Sequence, residues 1–180
     1  MPRIGISLIA QARMLAGSDP RRPQQATLRR AISTAYYGVF HFLIEESTLL
    51  LLGTAVGDAP FREFAARSFE HGKMKSLCTE FVKPNPQQVH PLLRPFWARL
   101  HIAGNQQLRL IAQAFIDLQD ERHEADYDLS QAFSRNDALT AVSLAEAVVA
   151  AWRRMRAADP QLCRLFALSL MLWPSLVRRS

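Results

Sequence analysis

The chain has 180 residues, of which 49% are hydrophobic and 21% charged, a composition that is typical of one globular domain and excludes wholesale disorder. Its 2 cysteines and 7 glycines exclude a disulfide framework or a metal centre built on several cysteines, and argue against a loop-rich β-sandwich. The formal charge of +6 is uneven, because residues 1–44 hold six arginines against one aspartate.

The first helical pattern is short and lies near the N-terminus. Its apolar residues recur every three or four positions and are Leu8, Ile9, Ala12 and Leu15. Gly17 follows them and is predicted to cap the end of this helix. We expect residues 1–23 to form this helix and a basic loop, separate from the main bundle.

A longer pattern runs from about Thr27 to Leu51. Its apolar residues follow a spacing of 3.6 and are Leu28, Ile32, Ala35, Tyr36, Val39, Leu43 and Ile44. Phe40 and Phe42 widen the apolar face until little polar surface remains. A helix that is apolar nearly all round is buried, so we place it at the centre of its domain.

Shorter patterns follow this central helix. Asp58 and Pro60 indicate the start of a third helix that runs through Phe69. Gly72 is predicted to break it before a further apolar stripe, which consists of Met74, Leu77, Cys78 and Phe81. A loop with four prolines comes next, after which helix resumes at Phe96 and is interrupted near Gly104.

Three patterns complete the chain. The first is a stripe that leads into Arg122 and consists of Leu108, Ile111, Ala112, Phe115 and Leu118. Ser134 and Asp137 resemble a capping box, and they precede a stripe formed by Leu139, Val142, Ala145, Val149 and Trp152. Pro160 opens a last apolar helix, Leu162 to Leu172. Strand-like alternation is absent, so we predict an all-α fold, a bundle of about five principal helices over residues 24–158, with residues 159–180 as an apolar C-terminal helix.

Neither a targeting segment nor a membrane span is predicted. Gln11 and Arg13 interrupt the apolar stretch that a signal peptide needs. The apolar run from Leu165 to Val177 contains Pro174 and is shorter than the roughly 20 residues of a span. We therefore expect a cytoplasmic protein. The same run also fits a membrane surface or the groove of a partner protein.

Motifs of standard enzyme classes are missing. The five histidines are scattered and form no metal-ligand pair, and the chain has neither a glycine-rich phosphate loop nor a nucleophile elbow. We expect neither a metal nor a cofactor, and no enzyme of a standard motif-bearing class.

Two segments carry unusual polar residues on helical patterns. Residues 28–41 read L-R-R-A-I-S-T-A-Y-Y-G-V-F-H, and residues 121–128 read E-R-H-E-A-D-Y-D. In the first, Tyr37 and His41 are one helical turn apart on a shared polar edge. In the second, the same spacing lets Arg122 and Asp126 form an ion pair. Buried tyrosine hydroxyls need partners, and a core hydrogen bond is the alternative interpretation of the tyrosines.

Together, in this order, the two segments resemble a prokaryotic branch of the HEPN superfamily, whose members read much like R-R-A-x-S-x-A-Y-Y-x-x-F-H and later R-x-x-A-D-Y-D. The matching residues are Arg29, Arg30, Ala31, Ser33, Ala35, Tyr36, Tyr37, Phe40, His41, Arg122, Ala125, Asp126, Tyr127 and Asp128. The likeness covers about residues 25–157. It implies a HEPN-like helical bundle that forms a homodimer, often beside a nucleotidyltransferase partner in toxin–antitoxin or defence loci.

The resemblance also implies a candidate site. Catalytic members of the family cut RNA with an arginine followed, after about four to six residues, by a histidine, a pair suited to phosphate stabilisation and proton transfer. Here Asp126 and Tyr127 stand where that histidine is expected after Arg122. We therefore expect Arg122, Asp126 and Tyr127 to form a polar cluster facing Tyr37 and His41, without the usual ribonuclease pair.

The N-terminal arginines form the second candidate site. Arg21, Arg22, Arg29 and Arg30 are predicted to contact RNA phosphates, because the planar guanidinium suits phosphate recognition. Alternatively, Asp126 or Asp128 holds one of the last two arginines inside the bundle. Two other functions remain open: an active metal-independent endoribonuclease, and a purely structural subunit that makes protein contacts.

Overall fold

The computed structural model describes residues 3–18 and 21–176. Asp19, which is part of the predicted basic loop, and Val177, which ends the predicted apolar run, lie outside the described residues. The prediction of an all-α fold is confirmed, because the described residues form helices and no β-strand.

The described residues form eight α-helices. Their bounds are α1 Ile4–Gly17, α2 Gln25–Leu52, α3 Ala59–Ala66, α4 His71–Val82, α5 Arg94–Arg99, α6 Gln106–Tyr127, α7 Arg135–Ala158 and α8 Pro160–Leu176. Single 3-10 turns occupy Val56–Asp58, Pro86–Gln88 and Ile102–Gly104. Six of the α-helices, α2 to α7, lie within residues 24–158, where about five principal helices were predicted, and two of these six, α3 and α5, are short helices in the segments that glycine and proline interrupt.

Two predictions of helix ends need correction. Gly17 is the last residue of α1, but it is not a left-handed cap; Ser18 closes the helix in an extended conformation, with its backbone N–H and hydroxyl both donating to the carbonyl of Leu15. Gly72 does not break a helix, since α3 ends at Ala66 and α4 begins at His71. The break falls where the backbone of residues 67–70 leaves the helical path.

The capping box before α7 is confirmed. The backbone N–H of Ser134 donates to Oδ2 of Asp137 at 2.7 Å, and the backbone N–H of Asp137 is 3.2 Å from Oγ of Ser134. The two side chains thereby satisfy donors that the first turn of the helix leaves without a partner.

The chain divides into two compact units. Unit 1 consists of Met1–Phe42 and Ala114–Ala150, and unit 2 of Leu43–Gln113 and Ala151–Ser180. These units differ from the predicted division at residues 23 and 158. The difference arises because α2, α6 and α7 each contribute residues to both units.

Unit 1 packs α1 closely against the first part of α2. A Cβ atom placed on Gly5 would lie 2.5 Å from the backbone nitrogen of Phe42, and one placed on Gly38 would lie 2.6 Å from Cγ1 of Ile9. Only glycine allows so close an approach. The rest of the core is supplied by α6 and α7, whose buried side chains here are mostly alanine, valine, leucine and phenylalanine.

Unit 2 packs the C-terminal helix α8 against α4. The rings of Phe166 and Phe81 meet edge to face with centroids 5.3 Å apart, and the indole Nε1–H of Trp173 donates to Oγ of Ser76 at 3.3 Å. Cys163 lies on the buried face of α8, and burial raises the pKa of its thiol to about 12. The apolar character of α8 thus reflects its packing within unit 2.

Within the described residues, no single helix has both the length and the apolar composition to cross a membrane. The bent pair of Gln25–Leu52 and Val56–Ala66 meets that criterion by length and composition alone.

Candidate functional site

Three residues of α2, each one turn after the last, hold the end of α6 in unit 1. Arg29 donates to the carbonyl oxygen of Ala125 at 2.9 Å, the hydroxyl of Ser33 donates to the carboxylate of Asp126, and the hydroxyl of Tyr37 accepts from Arg122 at 2.6 Å. Residues four apart share one face of a helix, so 29, 33 and 37 form a polar stripe on an otherwise apolar helix.

Arg122 is the centre of this cluster. Its Nε lies 2.8 Å from Oδ2 of Asp126, so the ion pair expected from their spacing is present. Its guanidinium also lies 5.4 Å from the ring centroid of Tyr37 and 5.5 Å from that of Tyr127. Burial opposes the charged form, but the hydrogen bond with Tyr37 and the charge of Asp126 outweigh it and raise the pKa of Arg122.

Tyr127 and His123 form the solvent-facing side of the cluster. The side chain of Tyr127 is 63% exposed, and its ring centroid lies 4.9 Å from that of His123. His123 is also exposed. No role for His123 was predicted from the sequence, because it directly follows Arg122 and so falls outside the spacing of a ribonuclease pair.

His41 lies apart from these contacts. It follows Tyr37 by one turn on α2, and its ring packs edge-on against Phe40 with centroids 5.4 Å apart. It is half-buried, and this burial lowers its pKa. Among the described residues, no hydrogen bond or ring contact joins His41 to Arg122, so the structure groups Tyr37 with Arg122, Asp126 and Tyr127 but leaves His41 outside.

Arg29 is held by the loop that follows α6. Besides the carbonyl of Ala125, its guanidinium donates to the carbonyl of Gln131 and lies 5.2 Å from the ring centroid of Phe133. Gln25 fixes the same loop, since its amide donates to the carbonyl of Phe133 at 2.7 Å and accepts from the N–H of Phe133 at 2.9 Å. No pattern in the sequence indicated a role for Gln25. The hydrogen bonds of Arg29 go to carbonyl oxygens, and its charge also contributes to the lowered pKa of Asp128, after the hydrogen bonds from Ser130.

The other three arginines of the second candidate site face solvent. Arg21 and Arg22 lie in the turn before α2, and Arg30 lies on its exposed side. A further N-terminal arginine, Arg13, is engaged elsewhere, because its Nε donates to the carboxylate of Glu146 at 2.7 Å. The exposed part of the basic stretch in unit 1 therefore includes Arg21, Arg22 and Arg30.

The end of α6 carries the opposite charge. Residues 117–128 contain six carboxylates and one arginine. Burial, together with the charges of Asp117, Glu124 and Asp137, raises the pKa of Glu121. In the part of the chain that the structure describes, no group of three or more histidine, cysteine, aspartate or glutamate residues has a geometry that would hold a metal ion.

Comparison of the chain with protein-family models, with curated proteins and with solved structures found no match.

Proposed function

We propose that this chain is a HEPN-like cytoplasmic protein of a prokaryotic toxin–antitoxin or defence-type system. In this proposal it forms a homodimer, binds RNA, a nucleotidyltransferase-type partner or both, and lacks the usual ribonuclease pair. The observation that carries the proposal is the set of contacts between the two segments that resemble the family. Arg29, Ser33 and Tyr37 of the first segment bond to residues 122–126 of the second.

These contacts support a site in which Arg122 binds other residues of the protein and is not free to bind a phosphate. The guanidinium of Arg122 is engaged by the hydroxyl of Tyr37 and the carboxylate of Asp126. A phosphate that approached it would have to compete with Asp126, whose negative charge already stabilises the charged guanidinium. The local charge therefore disfavours RNA cleavage at Arg122.

The exposed arginines support RNA binding elsewhere in unit 1. Arg21, Arg22 and Arg30 face solvent, and guanidinium groups bind phosphate oxygens with charge-assisted hydrogen bonds. Arg29 is left out of this surface because two carbonyl oxygens and the ring of Phe133 already hold it.

The salt dependence of RNA affinity tests this proposal. We expect a labelled single-stranded RNA to bind weakly and with an affinity that falls steeply with salt. The variant Arg21→Glu/Arg22→Glu should bind more weakly, and its slope of log affinity against log salt should flatten by about 0.7 for each phosphate that the variant no longer neutralises.

The chain offers a matched control for this experiment. Arg153 and Arg154 are also adjacent and exposed, so Arg153→Glu/Arg154→Glu removes the same charge from α7. If RNA binding depends on net charge alone, both double variants will flatten the slope equally, and the proposed surface is then wrong. Salt-independent binding would point instead to a structural, protein-binding subunit.

The nucleotidyltransferase part of the proposal has its own test. Co-expression with the protein encoded by an adjacent gene should yield a complex that co-purifies, if that gene encodes a small nucleotidyltransferase. A soluble chain that never associates with such a neighbour would remove the partner from the proposal and leave the RNA surface unaffected.

A metal-independent endoribonuclease is the second candidate function, and one contact favours it. Tyr127 packs against both Arg122 and His123, so an arginine and a histidine share one exposed tyrosine. Incubation of RNA with purified protein and a chelator tests this candidate. Cleavage that is abolished in Arg122→Ala and in His123→Ala, but kept in His101→Ala, would overturn the non-catalytic proposal.

A further inference from the structure

Helix α3 of unit 2 is unusual because none of its residues is buried. It nevertheless carries two large apolar side chains, Phe61 and Phe64, which are 66% and 78% exposed. Val56, in the turn just before it, is 91% exposed. Monomeric proteins seldom leave aromatic side chains grouped in this way on their surface, and such groups mark interaction sites.

The two faces of α3 are distinct. Ala59, Arg62, Ala65 and Ala66 are half-buried, and the other four residues of the helix are exposed. Arg62 anchors the half-buried face, because its guanidinium donates to the carbonyl of Gly53 at 2.8 Å and to that of Ala55 at 3.1 Å. This anchoring turns the phenylalanines outwards, so the described residues leave most of each side chain exposed.

Two opposite charges flank the phenylalanines. Glu63 and Arg67 are both exposed and lie one helical turn apart, yet neither forms an ion pair with another described residue. If two copies of α3 packed antiparallel about a two-fold axis level with Ala65, Glu63 of each copy would face Arg67 of the other. The same arrangement would bring the two Phe64 side chains together near the axis, since the rise is about 1.5 Å per residue.

We infer that α3 is a contact between two copies of this chain, made by Phe61 and Phe64 and oriented by Glu63 and Arg67. A second copy fits better than a membrane because the charge pattern is self-complementary and has no excess of positive charge. The exposed parts of the two phenylalanines amount to about 300 Å² together, which is less than the roughly 800 Å² per partner of a standard interface. The dimer is therefore weak and dissociates at micromolar concentrations.

This inference deepens the proposed function, which expects a homodimer but names no surface for it. The RNA-binding part of the proposed function and the dimer contact can each be wrong without the other. The RNA surface is tested by the salt dependence of Arg21 and Arg22 variants, and the dimer contact is tested by mass alone, without RNA.

Sedimentation or light scattering at rising protein concentration provides the first test. The wild-type mass should rise from one chain towards two through the micromolar range, whereas Phe61→Ser/Phe64→Ser should remain monomeric with an unchanged helical spectrum. Leu168→Ser/Leu172→Ser is the control, since these leucines are also exposed in unit 2, on α8. A wild-type chain that stays monomeric, or a dimer that survives in the phenylalanine variant, overturns the inference.

Charge reversal provides the second test. Glu63→Arg alone and Arg67→Glu alone each place like charges opposite one another, so each variant should dimerise at least several-fold more weakly than the wild type. The double reversal Glu63→Arg/Arg67→Glu restores opposite pairs and should recover the dimer. A mixture of the two single variants should form a mixed dimer. If the single variants dimerise as well as the double reversal, the antiparallel arrangement is wrong. If the wild-type chain stays monomeric and binds anionic vesicles, the occupant of this surface is a membrane instead.

Discussion

The indole Nε1–H of Trp152 donates a hydrogen bond of 3.0 Å to Oε2 of Glu46, which lies 106 residues earlier in the chain. The same oxygen accepts a hydrogen bond of 3.0 Å from Arg156. The side chain of Glu46 is only 5% exposed. Two donors in unit 2 thus compensate a carboxylate that would be costly to bury alone.

Removal of this carboxylate should destabilise the protein. Glu46→Ala leaves the indole N–H buried without an acceptor and deprives Arg156 of its partner, so we expect a loss of about 2–3 kcal/mol in the free energy of unfolding. Trp152→Phe removes one donor and also leaves a cavity where the larger indole is fully buried, so it should cost about 1–3 kcal/mol. Urea unfolding followed by circular dichroism measures both. Glu124→Ala, at an exposed glutamate, should change stability by less than about 0.5 kcal/mol; an equal loss at both glutamates would contradict the role of the hydrogen bonds.

A second prediction concerns the close contact between α1 and α2. Gly5→Ala places a methyl group against the backbone of Phe42, which cannot yield without moving a helix, so it should lower the melting temperature by several degrees. Gly72 is the matched control, because it also lies in a helix and a Cβ atom there meets nothing within 4 Å. Gly72→Ala should stabilise the protein by about 0.5–1 kcal/mol. Similar melting temperatures for the two variants would show that α1 does not pack closely on α2.

A third prediction concerns the buried face of α2. Val39 is fully buried in unit 1, so Val39→Asp places a carboxylate where no donor compensates it, and the cost of several kcal/mol should unfold the domain. Gln106→Asp should be tolerated, because Gln106 is exposed in the first turn of α6, where a negative charge is favourable. Thermal unfolding compares the two, and a folded Val39→Asp protein would mean that the assigned core face is wrong.

We expect the stability of the protein to depend on pH because of the environment of His41. Its half-burial lowers its pKa in the folded protein, so the unfolded chain takes up the proton more readily. The free energy of unfolding should therefore fall as the pH drops below about 6.5, the ordinary value for histidine, towards the lower folded pKa. His41→Gln removes this contribution and should flatten the profile between about pH 7 and pH 5.5. Parallel profiles for the wild type and the variant would rule out His41 as the cause.

Local patterns determined the helical fold from the sequence alone. The 3.6-residue spacing of Leu28 to Ile44 predicted α2 to within two residues at each end, because the periodicity of apolar side chains is a property of the helix itself. Ser134 with Asp137 and Arg122 with Asp126 were predictable for the same reason, since each pair lies within about one turn and its geometry follows from the helix.

The tertiary structure alone decided which polar groups meet across long separations. Arg29 bonds to the carbonyl of Ala125, 96 residues away, and its sequence neighbour Arg30 faces solvent; the pattern R-R predicts the same role for both. The exposure of the apolar face of α3 could not be predicted either, because apolar residues at helical spacing predict burial whether or not another helix covers them. Such outcomes depend on the rotation and crossing of packed helices, and these are set by the fit of many side chains at once rather than by any local spacing.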